Sequence, residues 1–184
     1  ALDPQWSDEQ LFDEGYCRVY DTLELERNLE EAADLMEHVL ADTPTDQTWG
    51  SHELNWRIGE RVLQTGAGRG ILQSAFQKQI PVYVPGMTDS ELGLDVFCHN
   101  LRATRAGKPP IRVDLFRDIA DYYERVRGAK RLGIFTIGGG VPRNWAQQVG
   151  PLGELVDRRV DPTLGAQIRF HHAIRICPEP VHWG

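Results

Sequence analysis

Asp89 closes the stretch Ile80-Pro81-Val82-Tyr83-Val84-Pro85-Gly86-Met87-Thr88-Asp89, an apolar, β-branched run that stops abruptly at small and polar residues. A carboxylate just past the end of a strand accepts hydrogen bonds from the ribose diol of a dinucleotide. The same residue, with Thr88 before it and Ser90 after it, can instead cap the next helix. A second run, Ile134-Phe135-Thr136-Ile137, ends at Gly138-Gly139-Gly140 and re-enters a helical pattern at Val141-Pro142. Glycines there leave backbone N–H groups open to a phosphate, and a tight strand-to-helix turn asks for the same residues. Position 143 is Arg rather than Gly or Ala, so the run does not match the dinucleotide fingerprint.

Glu91 and Asp95 stand four apart on one helix face, either as anchors for the amines of a polycation or as a solvated pair. Cys177, Glu179, His182 and Trp183 follow the last apolar run, with His171 and His172 inside it, and their spacing matches no common zinc pattern. Trp183 can lie over a cationic substrate or plug a sheet edge. No Ser/His/Asp order and no paired-carboxylate signature stands out.

The elements that must position these groups are legible from periodicity. Asp21-Thr22 reads as the cap of a helix with Leu25, Leu29, Ala32, Met36 and Leu40 at three-and-four spacing, followed by a polar, mobile loop from Thr43 to Gly50. Ser51 reads as the cap of a second helix with Leu54, Ile58 and Val62 on one face, closed by Thr65-Gly66-Ala67-Gly68. Ile71 to Phe76 makes a short helix. Strands are expected at Ile80–Val84, Ile111–Leu115, Leu132–Ile137 and Ala173–Cys177. Helices are expected at Ser90–Cys98, Phe116–Lys130 and after Gly140, with a basic linker from Arg102 to Pro110. Helices alternating with apolar strands predict an α/β fold with a doubly wound, mainly parallel, Rossmann-like sheet and a pocket where the tips near Val84, Ile137 and Cys177 converge.

The 184 residues are 41 % hydrophobic and 26 % charged, enough for a single α/β domain over positions 1–184. A net charge of −7 without a basic stripe argues against nucleic acid as a partner. Cys17, Cys98 and Cys177 are odd in number and far apart, which predicts no disulfide framework. With no membrane span and no signal segment, the expected location is the cytoplasm. Ala1 at the start and His182-Trp183-Gly184 at the end, directly after a strand, read as a piece of something longer.

Taken in order, Pro81 to Gly93, Ile134 to Asn144 and Ala173 to Gly184 resemble the deoxyhypusine synthase family, in particular its bacterial and archaeal "deoxyhypusine synthase-like" branch. The resemblance implies an NAD-dependent enzyme of Rossmann-like fold, a homotetramer built as a dimer of dimers, of which this chain is the central and C-terminal portion. It implies hydride transfer from the polyamine spermidine to NAD and capture of the aminobutyl group on an enzyme lysine. Transfer then goes to a lysine-bearing translation factor, or to a small amine as in homospermidine synthases. By motif position, cofactor contacts fall on Thr88, Asp89, Gly138, Gly139, Pro178 and Glu179, and substrate contacts on Asn144, Asp95, Trp183 and Gly184; no metal is implied.

The chain departs from the family pattern in three places. Asn144 stands where the family places a substrate-binding His, and an amide cannot exchange a proton as imidazole does. The family's substrate Asp aligns with Leu94 unless a one-residue shift brings in Asp95. The family's nucleophile lies in a Ser-Trp-Gly-Lys-like motif beyond Gly184, and none of Lys78, Lys108 and Lys130 stands at a strand terminus, so no catalytic residue is assigned within this chain. The resemblance therefore implies activity only with segments from elsewhere in the same product or from a companion chain. The rival expectations are a non-catalytic paralogue that partners an active subunit, and a generic nucleotide-binding module.

Overall fold

The computed structural model describes residues 6–19, 21–66 and 69–178. Helix α1 (Asp8–Asp13) opens on a reciprocal capping box, in which the Ser7 side chain accepts from Gln10 N and the Gln10 side chain accepts from Ser7 N. Strands β1 (Tyr16–Val19) and β2 (Thr22–Leu25) form an antiparallel hairpin with Tyr16 opposite Leu25. The helix expected from Asp21-Thr22 therefore starts later, as α2 (Glu26–Ala41), because the backbone of residues 22–25 is paired across the hairpin.

The expected mobile loop from Thr43 to Gly50 is packed instead. Thr43 is buried with its hydroxyl donating to Val39 O at 2.7 Å, and the indole of buried Trp49 donates to Pro44 O at 2.8 Å. Within the loop, β3 (Thr48–Trp49) leads straight into α3 (Ser51–Thr65), and Gly66 closes that helix in the left-handed region at φ 70°. Residues 67 and 68 of the expected closing run lie outside the described residues. Helix α4 (Ile71–Gln77) is the predicted short helix.

Residues 80–84 do not form the predicted strand. Pro81 has no N–H to give a ladder, and side chains of α3 take two of the other backbone groups: Asn55 Nδ2 donates to Val82 O at 2.9 Å and Val84 N donates to Ser51 Oγ at 2.7 Å. A 3₁₀ turn at Met87–Asp89 follows, then α5 (Glu91–Arg105), which runs through Arg105 and so absorbs the start of the expected linker. Strand β4 (Arg112–Val113) pairs in parallel with β3 and is shorter than expected. Both backbone groups of Ile111 are held by the Asn100 amide at 2.7 and 2.9 Å instead of by a strand.

Helix α6 (Phe116–Arg127) stops three residues before Lys130. Strand β5 (Leu132–Ile137) has the predicted bounds, and α7 (Val141–Gln147) carries Pro142 in its first turn. Helix α8 (Val149–Arg159) and β6 (Phe170–Ile176) complete the order, β6 lying parallel to β5 with Ile137 opposite Ile176. The result is a mixed α/β fold. Among the described residues the parallel strands form two separate two-stranded ladders, not a complete doubly wound sheet.

Two apolar clusters hold these elements. The larger joins α2, α3, α5 and the 3₁₀ turn through Val39, Leu40, Trp49, Leu54, Ile58, Met87, Leu92, Val96 and Ile111. The smaller sets α6 and α8 against one face of β5–β6 through Tyr123, Val126 and Val149, with Leu132 and Phe170 beside them. Between the clusters lies Asp118, only 2 % exposed, whose carboxylate accepts from Ser51 N (3.2 Å), His52 N (3.1 Å) and the His52 ring at Nδ1 (2.5 Å). The carboxylate of α6 thus caps the start of α3 from outside. Burial alone would raise its pKa. Hydrogen bonds from His52 and Ser51 outweigh that and hold it below the ordinary aspartate value of 3.8.

A group whose folded pKa is depressed stabilises the fold above its unfolded pKa, and that contribution is lost as pH falls through the folded value. Asp118→Ala is therefore expected to cost about 3 kcal/mol at neutral pH in chemical denaturation, since two α3 amides lose their acceptor in a buried place. The difference from the parent chain is expected to shrink once pH drops below the ordinary aspartate range. A constant difference down to acid pH contradicts this account.

Candidate functional site

The strongest local arrangement lies around Asp89. Ser90, not Asp89, caps α5: its hydroxyl accepts from Gly93 N at 3.2 Å and donates to Met87 O at 2.8 Å. The capping reading of Asp89 thus gives way to a carboxylate that is exposed and has no hydrogen-bond or ion-pair partner among the described residues, while Asp89 N is used by the turn itself, donating to Gly86 O at 2.9 Å. Thr88 beside it is exposed as well. Gly93 seats the turn, because a Cβ there would lie 1.7 Å from Met87 O, so only glycine lets α5 come this close to the residues that carry Asp89.

The glycine run occupies the exit of β5. Gly138 (φ 81°) and Gly140 (φ 73°) adopt the backbone region that side chains rarely enter, which turns the chain from strand to helix within three residues. Gly138 N donates to Ile176 O at 2.7 Å, extending the β5–β6 ladder, so Gly138 and Pro178 leave from the same, carboxyl, end of the parallel pair. Arg175 was not foreseen at this site. Its Nε donates to Gly138 O at 3.1 Å, and its guanidinium lies 3.1 Å from where a Cβ of Gly139 would be. Strand parity was the available signal, since Thr136 and Arg175 are register partners one residue before the ends of β5 and β6.

An aromatic cluster ties the two halves of the site together. Tyr83, in the extended segment that leads to Asp89, packs against Trp145 of α7 with ring centroids 5.2 Å apart, and Trp145 stacks on Tyr122 of α6 at 4.9 Å. The Tyr83 hydroxyl donates to Asp121 Oδ2 at 2.5 Å, and Arg125 holds the same carboxylate at 2.7 Å. Burial first, then Asp121, keeps the Tyr83 phenol well above its ordinary pKa, so it stays a donor. Trp145 follows Asn144, whose side chain is exposed and has no partner among the described residues.

The strand tips expected to converge do so in part: Ile137 and Ile176 are register partners, and the Val84 segment joins them through Tyr83 and Trp145 rather than as a third strand. Asp95 lies elsewhere on α5, half-buried. Burial first, then the charges of Glu91 and Glu37, raises its pKa, so it belongs to an acidic group shared with α2. Pro178 is exposed at the end of β6, while Glu179, Trp183 and Gly184 lie outside the described residues. Lys78, Lys108 and Lys130 are exposed, and each follows the end of a helix rather than of a strand. Among the described residues no group of three or more His, Cys, Asp or Glu side chains is placed to hold a metal ion, and no helix is long and apolar enough to cross a membrane.

A parallel pair that delivers a glycine turn past its carboxyl end is an arrangement shared by α/β proteins that bind a ligand in a crevice at the strand ends. Comparison with known proteins narrows that class. The chain belongs to the deoxyhypusine synthase family, whose model matches residues 2–184. It is 28 % identical over 180 residues to a probable deoxyhypusine synthase 2 of Methanosarcina acetivorans, the match taking in 97 % of this chain and 48 % of that protein. To a deoxyhypusine synthase-like protein of Caulobacter vibrioides it is 27 % identical, over 96 % of this chain and 47 % of the relative. To a probable deoxyhypusine synthase 1 of Archaeoglobus fulgidus it is 24 % identical, over 96 % of this chain and 50 % of the relative. The chain thus spans about half the length of the curated relatives it matches.

Gly93→Ala is expected to destabilise the fold by about 2–3 kcal/mol, because the methyl meets a backbone carbonyl that cannot give way without moving the turn. Amide chemical shifts from Gly86 to Ser90 should move while those of α6 stay. A variant as stable as the parent, with an unmoved turn, refutes the close approach.

Proposed function

We propose that this chain contributes part of an NAD pocket and one wall of a polyamine site to an NAD-dependent transferase of aminobutyl groups, of the deoxyhypusine synthase-like or homospermidine synthase-like kind. The observation that carries the reading is the Asp89 carboxylate. Ser90 relieves it of capping, it is exposed, and its segment is joined through Tyr83 and Trp145 to the helix that the glycine run opens. An exposed carboxylate on a turn, with no partner among the described residues, is suited to a ribose diol.

The residues present fit the cofactor. Among the described residues beyond their chain neighbours, nothing lies within 4 Å of the positions that Cβ atoms of Gly138 and Gly140 would take, which leaves the backbone there open to a bulky ligand. Thr88 and Asp89 would hold the ribose, and Gly138, Gly139, Pro178 and Glu179 the neighbouring part of the dinucleotide. NAD supplies a hydride acceptor that oxidises an amine carbon to the imine level and later returns the hydride.

The substrate wall is assigned to Asn144, Trp183, Gly184 and, at its acidic margin, Asp95. Asn144 can donate and accept hydrogen bonds to an amine but cannot take its proton, so deprotonation falls to a group elsewhere. The imine-forming lysine is assigned outside these residues, a reading supported by Lys78, Lys108 and Lys130 each following a helix among the described elements. The reading includes the remaining half of the family length, a homo-oligomer or companion chain, a cytoplasmic location, and a lysine-bearing translation factor or a small amine as acceptor. Joined to that half, the two parallel ladders become part of one doubly wound sheet.

Asp89→Ala is expected to weaken NAD binding roughly ten- to a hundredfold in a calorimetric titration, matching the ~1.5–3 kcal/mol of hydrogen bonds to a charged acceptor. Its melting temperature should not change, because the carboxylate has no partner among the described residues; unaltered affinity rejects the ribose role. Asn144→His is expected to shift the preference among spermidine, putrescine and agmatine, read by mass spectrometry of borohydride-trapped adducts. An unchanged profile removes Asn144 from the substrate wall.

A further inference from the structure

Strands β5 and β6 have one covered face and one bare face. Phe135 stands opposite Ile174 and Ile137 opposite Ile176, and partners in register project to the same side of a parallel ladder. These four side chains are 61, 61, 76 and 57 % exposed. The other face meets α6 and α8 through the smaller apolar cluster, in which Leu132 of β5 and Phe170 of β6 take part. The β5-to-β6 crossover is α7 and α8, so it lies on that covered side.

A parallel ladder is stable in water only when both faces are covered, and the covering layer is made by crossover helices. Among the described residues no helix is placed over Phe135, Ile137, Ile174 and Ile176. The family match leaves about half of each relative unaccounted for: 97 % of this chain aligns with 48 % of the Methanosarcina acetivorans protein. A second copy of this chain is the weaker occupant. Two patches of four side chains, pressed together, fall short of the roughly 1,000 Å² that a stable interface buries.

We propose that the outer face of β5–β6, formed by Phe135, Ile137, Ile174 and Ile176, is the docking surface for a helical layer contributed by the half of the family length outside these 184 residues. The partner is an amphipathic helix pair, its apolar stripe set on the four side chains and its polar side turned to water. The inference deepens the functional reading by naming the surface at which the remaining half joins. It rests on the family match and not on the amine chemistry, so a chain that docks and yet binds no NAD would fail the functional reading alone.

The test replaces the matched segment of the Methanosarcina acetivorans relative with residues 2–184 and compares this chimera with the 184-residue chain. Phe135→Cys and Ile174→Cys are made in each, and maleimide labelling is followed residue by residue by mass spectrometry. The expected result is rapid labelling of both positions in the 184-residue chain and labelling at least tenfold slower in the chimera. Ile174→Glu should lower the chimera's melting temperature and leave that of the 184-residue chain unchanged. Should the chimera not fold, the outside half co-expressed as a separate chain gives the same comparison. Equal labelling in both backgrounds overturns the proposal, as does protection in the 184-residue chain that deepens with its concentration, which would mark a second copy as the occupant.

Discussion

The Asp118 carboxylate is the tie on which the arrangement depends. Helix α3 begins directly after Trp49 of β3, so its first amides point away from any residue that could cap them locally, Gly50 having no side chain. Asp118 reaches across from α6 to take two of these amides and the His52 ring, and Glu53 returns to take Gly50 N at 2.7 Å. Both carboxylates are anchored on their far sides: Glu53 by Arg117 of α6, Asp118 by burial. A single set of charged hydrogen bonds thereby fixes the angle between α3, which belongs to the larger apolar cluster, and α6, which belongs to the smaller one.

From that tie the candidate site follows by short steps. Once α3 is fixed, Ser51 and Asn55 present an acceptor and a donor to residues 82–84, which run extended without a strand partner. The extended segment lays Tyr83 between His52 of α3 and Trp145 of α7 and delivers Met87 to the core. Met87 and the carbonyl contact at Gly93 then leave the next two residues outside, so Thr88 and Asp89 are exposed because their neighbours are held. Side-chain hydrogen bonds thus replace a sheet ladder as the means of holding the turn that carries Asp89.

The elements that were legible in the sequence were those stabilised by their own residues. Strand β5 is bounded by its own alternation and by glycines, and α4 and α7 by their own periodicity and by Pro142. What was not legible depended on partners far along the chain. Residues 22–25 carry helical spacing but pair with residues 16–19, and residues 80–84 carry strand-like composition but give their hydrogen bonds to side chains some thirty positions earlier. At the site, the glycine turn and Asp89 were visible as types at spacings. Arg175 was not, because its relevance comes only from the register that sets it beside Thr136.

The same reasoning separates Asp89 from Asp95, two carboxylates six positions apart that sequence spacing treats alike. Asp95 is half-buried, and burial first, then the charges of Glu91 and Glu37, raises its pKa above the ordinary aspartate value. Asp89 faces solvent, with its own N–H spent on the turn and the capping task carried by Ser90. Asp89 is exposed, whereas Asp95 is half-buried. Of the two, Asp89 is the carboxylate that the fold leaves exposed, and the proposed ribose contact rests on that difference.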